Sequence, residues 1–208
     1  MRPGVRVSLP APNIEIIKLH MTKKVLYFGY GANRDARMIA AILGKPAEQL
    51  AGRPAVLQDY QLGIQGLDQI PDTIMINAPE PISPRQILRN VWGDGFESYV
   101  IEYRPGSKVT GTIWELTPEE RERVRDWELL DYGWYEDCEG KAIAEDGSEI
   151  DVITEKTRNN QVLGREVDGM DYETWLAEPE KFESIAERVR QEYDARLTES
   201  ELNRPKIN

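Results

Sequence analysis

The chain has 208 residues, of which 40% are hydrophobic and 30% are charged, and its formal net charge at pH 7 is -11. This composition predicts one full-sized globular domain, and no apolar run is long enough to span a membrane. The acidic excess excludes nucleic acid as an expected partner, because phosphate contacts need clustered Lys and Arg.

The chain has one cysteine and one histidine, which limits its chemistry. Cys138 cannot form an intramolecular disulfide, so we expect a reducing compartment and a cytoplasmic protein. The one histidine, His20, lies in a peripheral segment, so we do not expect a histidine general base. A single histidine also excludes a His-rich metal site. Acid-base chemistry must therefore use carboxylates, tyrosines or lysines.

The first elements lie after an N-terminal extension. Residues 1–20 contain three prolines and lack the apolar core of a signal peptide, so we expect the domain to begin near Met21. Val25–Gly29 is rich in β-branched and aromatic residues and predicts a strand. A helix is predicted over Arg34–Leu43 and ends at Gly44.

The junction between this strand and helix is a candidate anion site formed by Tyr30, Gly31, Ala32 and Asn33. Glycines permit the tight backbone, and N–H groups entering a helix are unpaired, so they suit a carboxylate or an oxyanion. An ordinary strand-to-helix turn without a ligand is the alternative. A nucleotide-phosphate loop is disfavoured, because neither a Lys-Ser/Thr pair nor a complete GxGxxG is present.

Alternating residues predict two further strands, around Val56–Ile64 and over Thr73–Ile76. The segment 79–97 is predicted to be a long excursion with a short helix around Gln86–Val91. Excursions of this length serve as lids or binding loops, or have no function.

Ser98–Tyr103 and Val109–Leu116 are predicted to form a hairpin around a turn at Pro105-Gly106. Three short strands divided by Glu-Gly and Asp-Gly turns are predicted over 134–138, 141–144 and 149–153. The last predicted helix is Pro179–Leu197, with one apolar face towards the core.

A second candidate site lies on the helix predicted over Pro118–Asp131. Thr117 is the N-cap of this helix and forms a capping box with the Glu three residues later. Val124 and Trp127 form its apolar stripe, and Glu128 lies on the same stripe. The neighbouring charged residues are expected to be solvated: 121, 122, 123, 125 and 126.

Glu128 has two possible roles. If it is buried, desolvation raises its pKa and suits it to general acid-base work near neutral pH. If it lies at the edge of the stripe, its carboxylate reaches water or pairs with an Arg. Tyr135, soon after it, could orient a substrate or Glu128, or could be an ordinary strand aromatic.

These motifs together resemble the γ-glutamylcyclotransferase-like family. Tyr30-Gly31-Ala32-Asn33 matches the family's Tyr-Gly-Ser-Asn, and the later matches are Val109, Gly111, Trp114, Leu116, Glu128, Gly133 and Tyr135. The resemblance implies an α+β fold, a small mixed β-barrel flanked by helices, over one domain spanning 21–197 with a loose tail over 198–208. Ala32 in place of Ser, Leu129 where Gly often follows the Glu, and the insertion at 79–97 depart from the family pattern.

The resemblance also implies an activity, in which the α-amine of a γ-glutamyl amide attacks its own γ-carbonyl and releases 5-oxoproline and an amine. Glu128 would be the general acid/base, Tyr30, Gly31, Ala32, Asn33 and Tyr135 would bind substrate, and no metal or organic cofactor would be required. The expected partner is a small γ-glutamyl molecule. A protein of the same fold that binds an amine or amino-acid derivative without turnover is the alternative.

Overall fold

The computed structural model describes residues 24–158 and 161–202, with side chains to Thr198. The extension predicted over 1–20, with His20, lies outside the described residues. The strands are β1 (Val25–Gly29), β2 (Gly52–Gly66), β3 (Glu97–Leu116), β4 (Tyr135–Ala144), β5 (Glu149–Thr157) and β6 (Arg165–Val167). The helices are α1 (Ala36–Leu43), α2 (Pro84–Trp92), α3 (Pro118–Trp127) and α4 (Pro179–Leu202).

The strands form a small closed barrel. Their order is β3-β1-β5-β4-β2, and pairing between β2 and β3 closes the ring, while β6 adds to the far end of β2. β1 and β5 are parallel and the other pairs are antiparallel, so the barrel is mixed. The predicted α+β fold, a small mixed β-barrel flanked by helices, is confirmed.

The hairpin predicted at Pro105-Gly106 is wrong, because the chain bends there and does not reverse. Both halves of β3 pair with β2, but Gln58 faces Lys108 while Tyr60 faces Tyr103, so Asp59 faces four residues, 104–107. Asp59 has a φ of 64°, and its carboxylate accepts a hydrogen bond from the Gly106 N–H at 2.8 Å. Such an irregularity sharpens the bend that a small barrel needs.

Two other strand predictions need correction. Thr73–Ile76 is not a strand; Ile76 is 99% exposed, and the segment crosses the surface between prolines instead of joining the sheet. β4 runs without a break through the turn predicted at Glu139-Gly140, where Gly140 pairs with Val152. The Asp146-Gly147 turn is confirmed, and Gly147 there has a φ of 82°.

Helices α1, α3 and α4 pack against one another beside the barrel. α1 begins at Ala36, two residues later than predicted, because the Asp35 side chain caps it by accepting from the Arg37 N–H at 2.8 Å. Met38 and Ile39 of α1 pack with Val124 of α3 and Ala186 of α4 in a common core.

α4 continues through residues that the sequence assigned to a loose tail, ending at Leu202. Its predicted apolar face is buried at Ile185 and Ala186 but not at Leu197, which is 47% exposed. Within the described ranges, none of the helices combines the length and the apolar character needed to cross a membrane.

Candidate active site

A cavity of about 260 Å³ opens between the first turn after β1, the end of α3, α2 and α4. Glu128 and all four residues of the Tyr30–Asn33 loop line it. The structure therefore brings both predicted motifs to one cavity, although about a hundred residues of chain separate them.

Two glycines make the Tyr30–Asn33 loop possible. Residues Gly31–Arg34 form a single 3-10 turn, in which Gly31 has a φ of 56°. A Cβ on Gly29 would lie 2.3 Å from the Asn33 carbonyl oxygen, so the turn can fold back on the strand end only without a side chain there. The indole N–H of Trp114 fixes the turn by donating to that same carbonyl at 2.9 Å.

The main-chain donors of this loop are mostly occupied. The Asn33 N–H donates to the Tyr30 carbonyl at 3.1 Å, and the Gly31 N–H donates to the Tyr172 hydroxyl at 3.3 Å. The Ala32 N–H is left without an acceptor among the described residues. Of the N–H groups of Gly31, Ala32 and Asn33, only that of Ala32 thus remains available among the described residues.

Asn33 is a predicted substrate-binding residue, and its side chain, for which the sequence predicted no separate role, is the loop's closest link to the acid. Its Nδ2 donates to Oε1 of Glu128 at 2.5 Å and to the Tyr27 hydroxyl at 3.0 Å. Asn33 is 6% exposed, so this carboxamide is held between the barrel and the cavity. It fixes the direction in which the Glu128 carboxylate points.

The C-terminal end of α3 positions Glu128, and this helix ends earlier than predicted. The helix stops at Trp127, four residues before the predicted Asp131, and the Glu128 N–H still donates to the Val124 carbonyl at 2.9 Å. Leu129 then adopts a left-handed conformation with a φ of 53°, which ends the helix. The family's frequent Gly at this position suits that torsion, whereas here Leu129 takes it and is buried.

The environment of Glu128 favours its protonated form. Burial, followed by the negative charge of Glu155, raises its pKa to about 8, while the hydrogen bond from Asn33 and the charge of Arg121 oppose the shift. A carboxyl group with such a pKa exchanges protons near neutral pH, which an ordinary surface glutamate does not.

The prediction that Arg121 is solvated is wrong, since it is 5% exposed and lies beneath Glu128. Its Nη1 is 2.8 Å from Oε1 of Glu155, a charge contact not aligned as a hydrogen bond, and its Nη2 is 2.6 Å from Asp137. The guanidinium also lies over the Tyr27 ring, 4.9 Å from its centroid. Arg121 precedes Glu128 by seven residues, which is two helical turns. The periodicity that predicts an inward direction for Glu128 therefore also predicts one for Arg121.

Glu155 on β5 was missed by the sequence analysis. It is 1% exposed, and burial raises its pKa while Arg121 lowers it. Burial disfavours both carboxylates, and their charges repel, so the ionisation of either acid opposes ionisation of the other. A lone Glu in a strand carries no sequence signal for this role.

The two tyrosines predicted to bind substrate lie in different places. Tyr30 lines the cavity, and its hydroxyl donates to the Glu155 carbonyl at 3.3 Å. Tyr135 is fully buried, is absent from the cavity lining, and donates through its hydroxyl to the Tyr99 carbonyl at 2.9 Å. In this position Tyr135 supports the cavity wall, as in the alternative of a strand aromatic, and its role in substrate binding stays a prediction.

No group of three or more His, Cys, Asp or Glu side chains in the described part of the chain is arranged to hold a metal ion. Glu128 is the acid that contacts the loop, through Asn33, and the charges of the buried Glu155 and Arg121 act on it.

Comparison with known proteins supports the fold. No protein-family model and no curated protein matches the chain. A solved γ-glutamyl cyclotransferase is similar to it at 18% sequence identity, with a TM-score of 0.50 over 85% of this chain and 87% of that one. The uncharacterized protein loc79017 from Homo sapiens is similar at 18% identity, with a TM-score of 0.49 over 84% and 86%. The chain thus has a γ-glutamyl cyclotransferase-like fold, and the resemblance that its motifs predicted is confirmed as a likeness of fold.

Proposed function

We propose that this protein cyclises γ-glutamyl amides, releasing 5-oxoproline and an amine, with Glu128 as general acid and base. The observation that carries the proposal is the 2.5 Å contact between Glu128 and Asn33 at the wall of a cavity that the Tyr30–Asn33 loop also lines. The likeness of fold to a γ-glutamyl cyclotransferase supports the same chemistry.

In this reaction the substrate's α-nitrogen forms a bond to its own γ-carbon, and the bond from that carbon to the leaving nitrogen breaks. The α-ammonium loses two protons, and the leaving amine gains two, so no water is consumed. Glu128 in its ionised form accepts the first proton and delivers it to the leaving nitrogen, then accepts the second from the ring nitrogen and passes it to the released amine, which returns Glu128 to its ionised form. A pKa of about 8 keeps both forms of this carboxyl accessible near neutral pH.

The cavity contributes mainly by positioning. Ring closure is intramolecular, so the protein needs to hold the substrate folded back with its nitrogen near its carbonyl. The Ala32 N–H is the free main-chain donor for the oxygen on which negative charge develops. Ala32 lacks the hydroxyl of the family's Ser, so this backbone donor carries more of the stabilisation.

The test measures 5-oxoproline release from γ-glutamyl amino acids, γ-glutamyl amines and glutathione. We expect release by the wild type and a loss of about 10²–10⁴-fold in Glu128→Gln. Glu145→Gln, at an exposed turn, is the matched control and should retain the wild-type rate.

Two results would overturn the proposal. A wild-type rate in Glu128→Gln would remove the acid-base role. Binding of γ-glutamyl compounds without release by the wild type would establish the non-catalytic alternative.

A further inference from the structure

The insertion at 79–97 builds one wall of the cavity. Within it Ile87, Leu88, Val91 and Trp92 of α2 line the cavity together with Phe96, and Leu88 and Phe96 are also buried in the core. Ser83 caps this helix by accepting from the Gln86 N–H at 3.2 Å. The insertion is therefore an anchored helical wall with an apolar inner face.

The opposite wall comes from α4, and the two walls meet through aromatic rings. The ring centroids of Trp92 and Phe182 are 4.6 Å apart, and those of Trp92 and Trp127 are 6.4 Å apart. Trp127 directly precedes Glu128. An apolar arm of the cavity thus begins beside the proposed acid and extends between α2 and α4.

The charged residues of the cavity are mostly acidic. Besides Glu128, the described lining includes four carboxylates, from Glu80, Glu97, Asp126 and Glu192, and one guanidinium, from Arg196. Arg196 is already paired with Asp126 at 2.5 Å. A ligand that brings a carboxylate into this arm meets repulsion and no free cation among the lining residues.

We propose, resting on the cyclisation above, that the preferred leaving group is an aromatic or branched alkyl amine without a carboxylate. The γ-glutamyl part lies against Glu128 and the Tyr30–Asn33 loop, and the amine's apolar body lies in the arm. γ-Glutamyl amino acids and glutathione, whose leaving groups carry carboxylates, are poor substrates.

The kinetic test compares three substrates that differ only in the leaving group: γ-glutamyl-benzylamide, γ-glutamyl-methylamide and γ-glutamyl-phenylalanine. We expect kcat/KM for the benzylamide to exceed that for the methylamide at least about tenfold, because the ring fills the apolar arm. It should exceed that for the phenylalanine compound by about tenfold, because only the latter carries the carboxylate.

A pair of matched variants tests whether the inner face of α2 causes the preference for the benzylamide. Ile87→Asn places a polar group on the inner face of α2, and should lower kcat/KM for the benzylamide about tenfold more than kcat/KM for the methylamide. Ile76→Asn makes the same substitution at a residue that is 99% exposed and away from the cavity, and should change neither.

The outcomes separate this inference from the cyclisation itself. Equal kcat/KM for the three substrates, or a preference for the phenylalanine compound, would overturn the inference and leave the proposed function standing. If the wild type turns over none of the three substrates, the proposed function and the leaving-group assignment are both wrong. Calorimetry of the same three compounds with the wild type then shows whether the arm still binds the benzyl group in preference.

Discussion

Asn33 Nδ2 donates to Glu128 Oε1 at 2.5 Å across 95 residues of chain. The same nitrogen donates to the hydroxyl of Tyr27, and the buried Arg121 guanidinium lies over the ring of that tyrosine. One carboxamide therefore connects the cavity acid to the ion pair beneath it. The strand-to-helix turn thus acts on Glu128 through a side chain more than through its main-chain donors.

Replacing Asn33 by Ala removes this connection. We expect kcat to fall by about 10² in 5-oxoproline release, because the carboxylate loses the donor that orients it. The hydrogen bond from Asn33 lowers the pKa of Glu128, so its loss should move the ascending limb of the pH–kcat/KM profile to higher pH.

The control for this prediction is Asn77→Ala, at an exposed position outside the cavity lining, which should leave both rate and profile unchanged. A rate loss in Asn33→Ala with an unmoved profile would mean that Asn33 serves only the fold of the loop.

Glu155→Gln tests the second acid. Its negative charge raises the pKa of Glu128, so its removal should move the ascending limb of the pH profile to lower pH, opposite to Asn33→Ala. The variant also leaves Arg121 facing a neutral group, and breaking a buried pair costs about 3–5 kcal/mol of unfolding free energy.

Urea unfolding measures that cost, and Glu149→Gln, whose side chain and whose partner Lys141 are both exposed, is the control with a smaller effect. The coupling between the two acids would be contradicted by a folded Glu155→Gln protein whose pH profile matches the wild type.

The sequence predicted what depends on local periodicity and capping. The capping box formed by Thr117 and Glu120, the short helix in the insertion and the inward direction of Glu128 all follow from residues within one or two helical turns. Each of these was predicted and is present.

The sequence could not show what depends on partners distant in the chain. Pro105-Gly106 has the composition of a hairpin turn, but both halves of β3 find their partner in β2, so pairing overrides the turn signal. Glu155 became part of the site only because β5 passes beneath Glu128. Tyr135 follows the family pattern in sequence, yet its hydroxyl is taken by the Tyr99 carbonyl.

The raised pKa of Glu128 predicts a pH-dependent difference in stability between wild type and Glu128→Gln. In the unfolded chain a Glu has a pKa of about 4.3, whereas the folded value is about 8. Between these pH values the folded state binds more protons, so the stability of the wild type falls as pH rises through the window. Gln does not titrate, so the melting temperature of the variant relative to wild type should be higher at pH 9 than at pH 5.

Thermal melts of both proteins at pH 5, 7 and 9 measure this difference. Glu145→Gln, at its exposed turn, should show a constant offset from wild type. Parallel melting curves for Glu128→Gln and wild type across the three pH values would show that the folded protein does not raise the pKa of this carboxyl.

Leu129 affects the free energy of unfolding in two opposing ways, and a pair of substitutions separates them. Its φ of 53° costs about 1–2 kcal/mol for a residue with a side chain, while its burial contributes more, since Leu to Ala in a core costs about 2–5 kcal/mol. Leu129→Gly loses the burial but relieves the torsion, so it should still be destabilised. Leu129→Ala loses the burial and keeps the torsion, so it should be less stable than Leu129→Gly by about 1 kcal/mol in urea unfolding. If Leu129→Ala proved the more stable of the two, the left-handed torsion at this position would not be the cost that we assign to it.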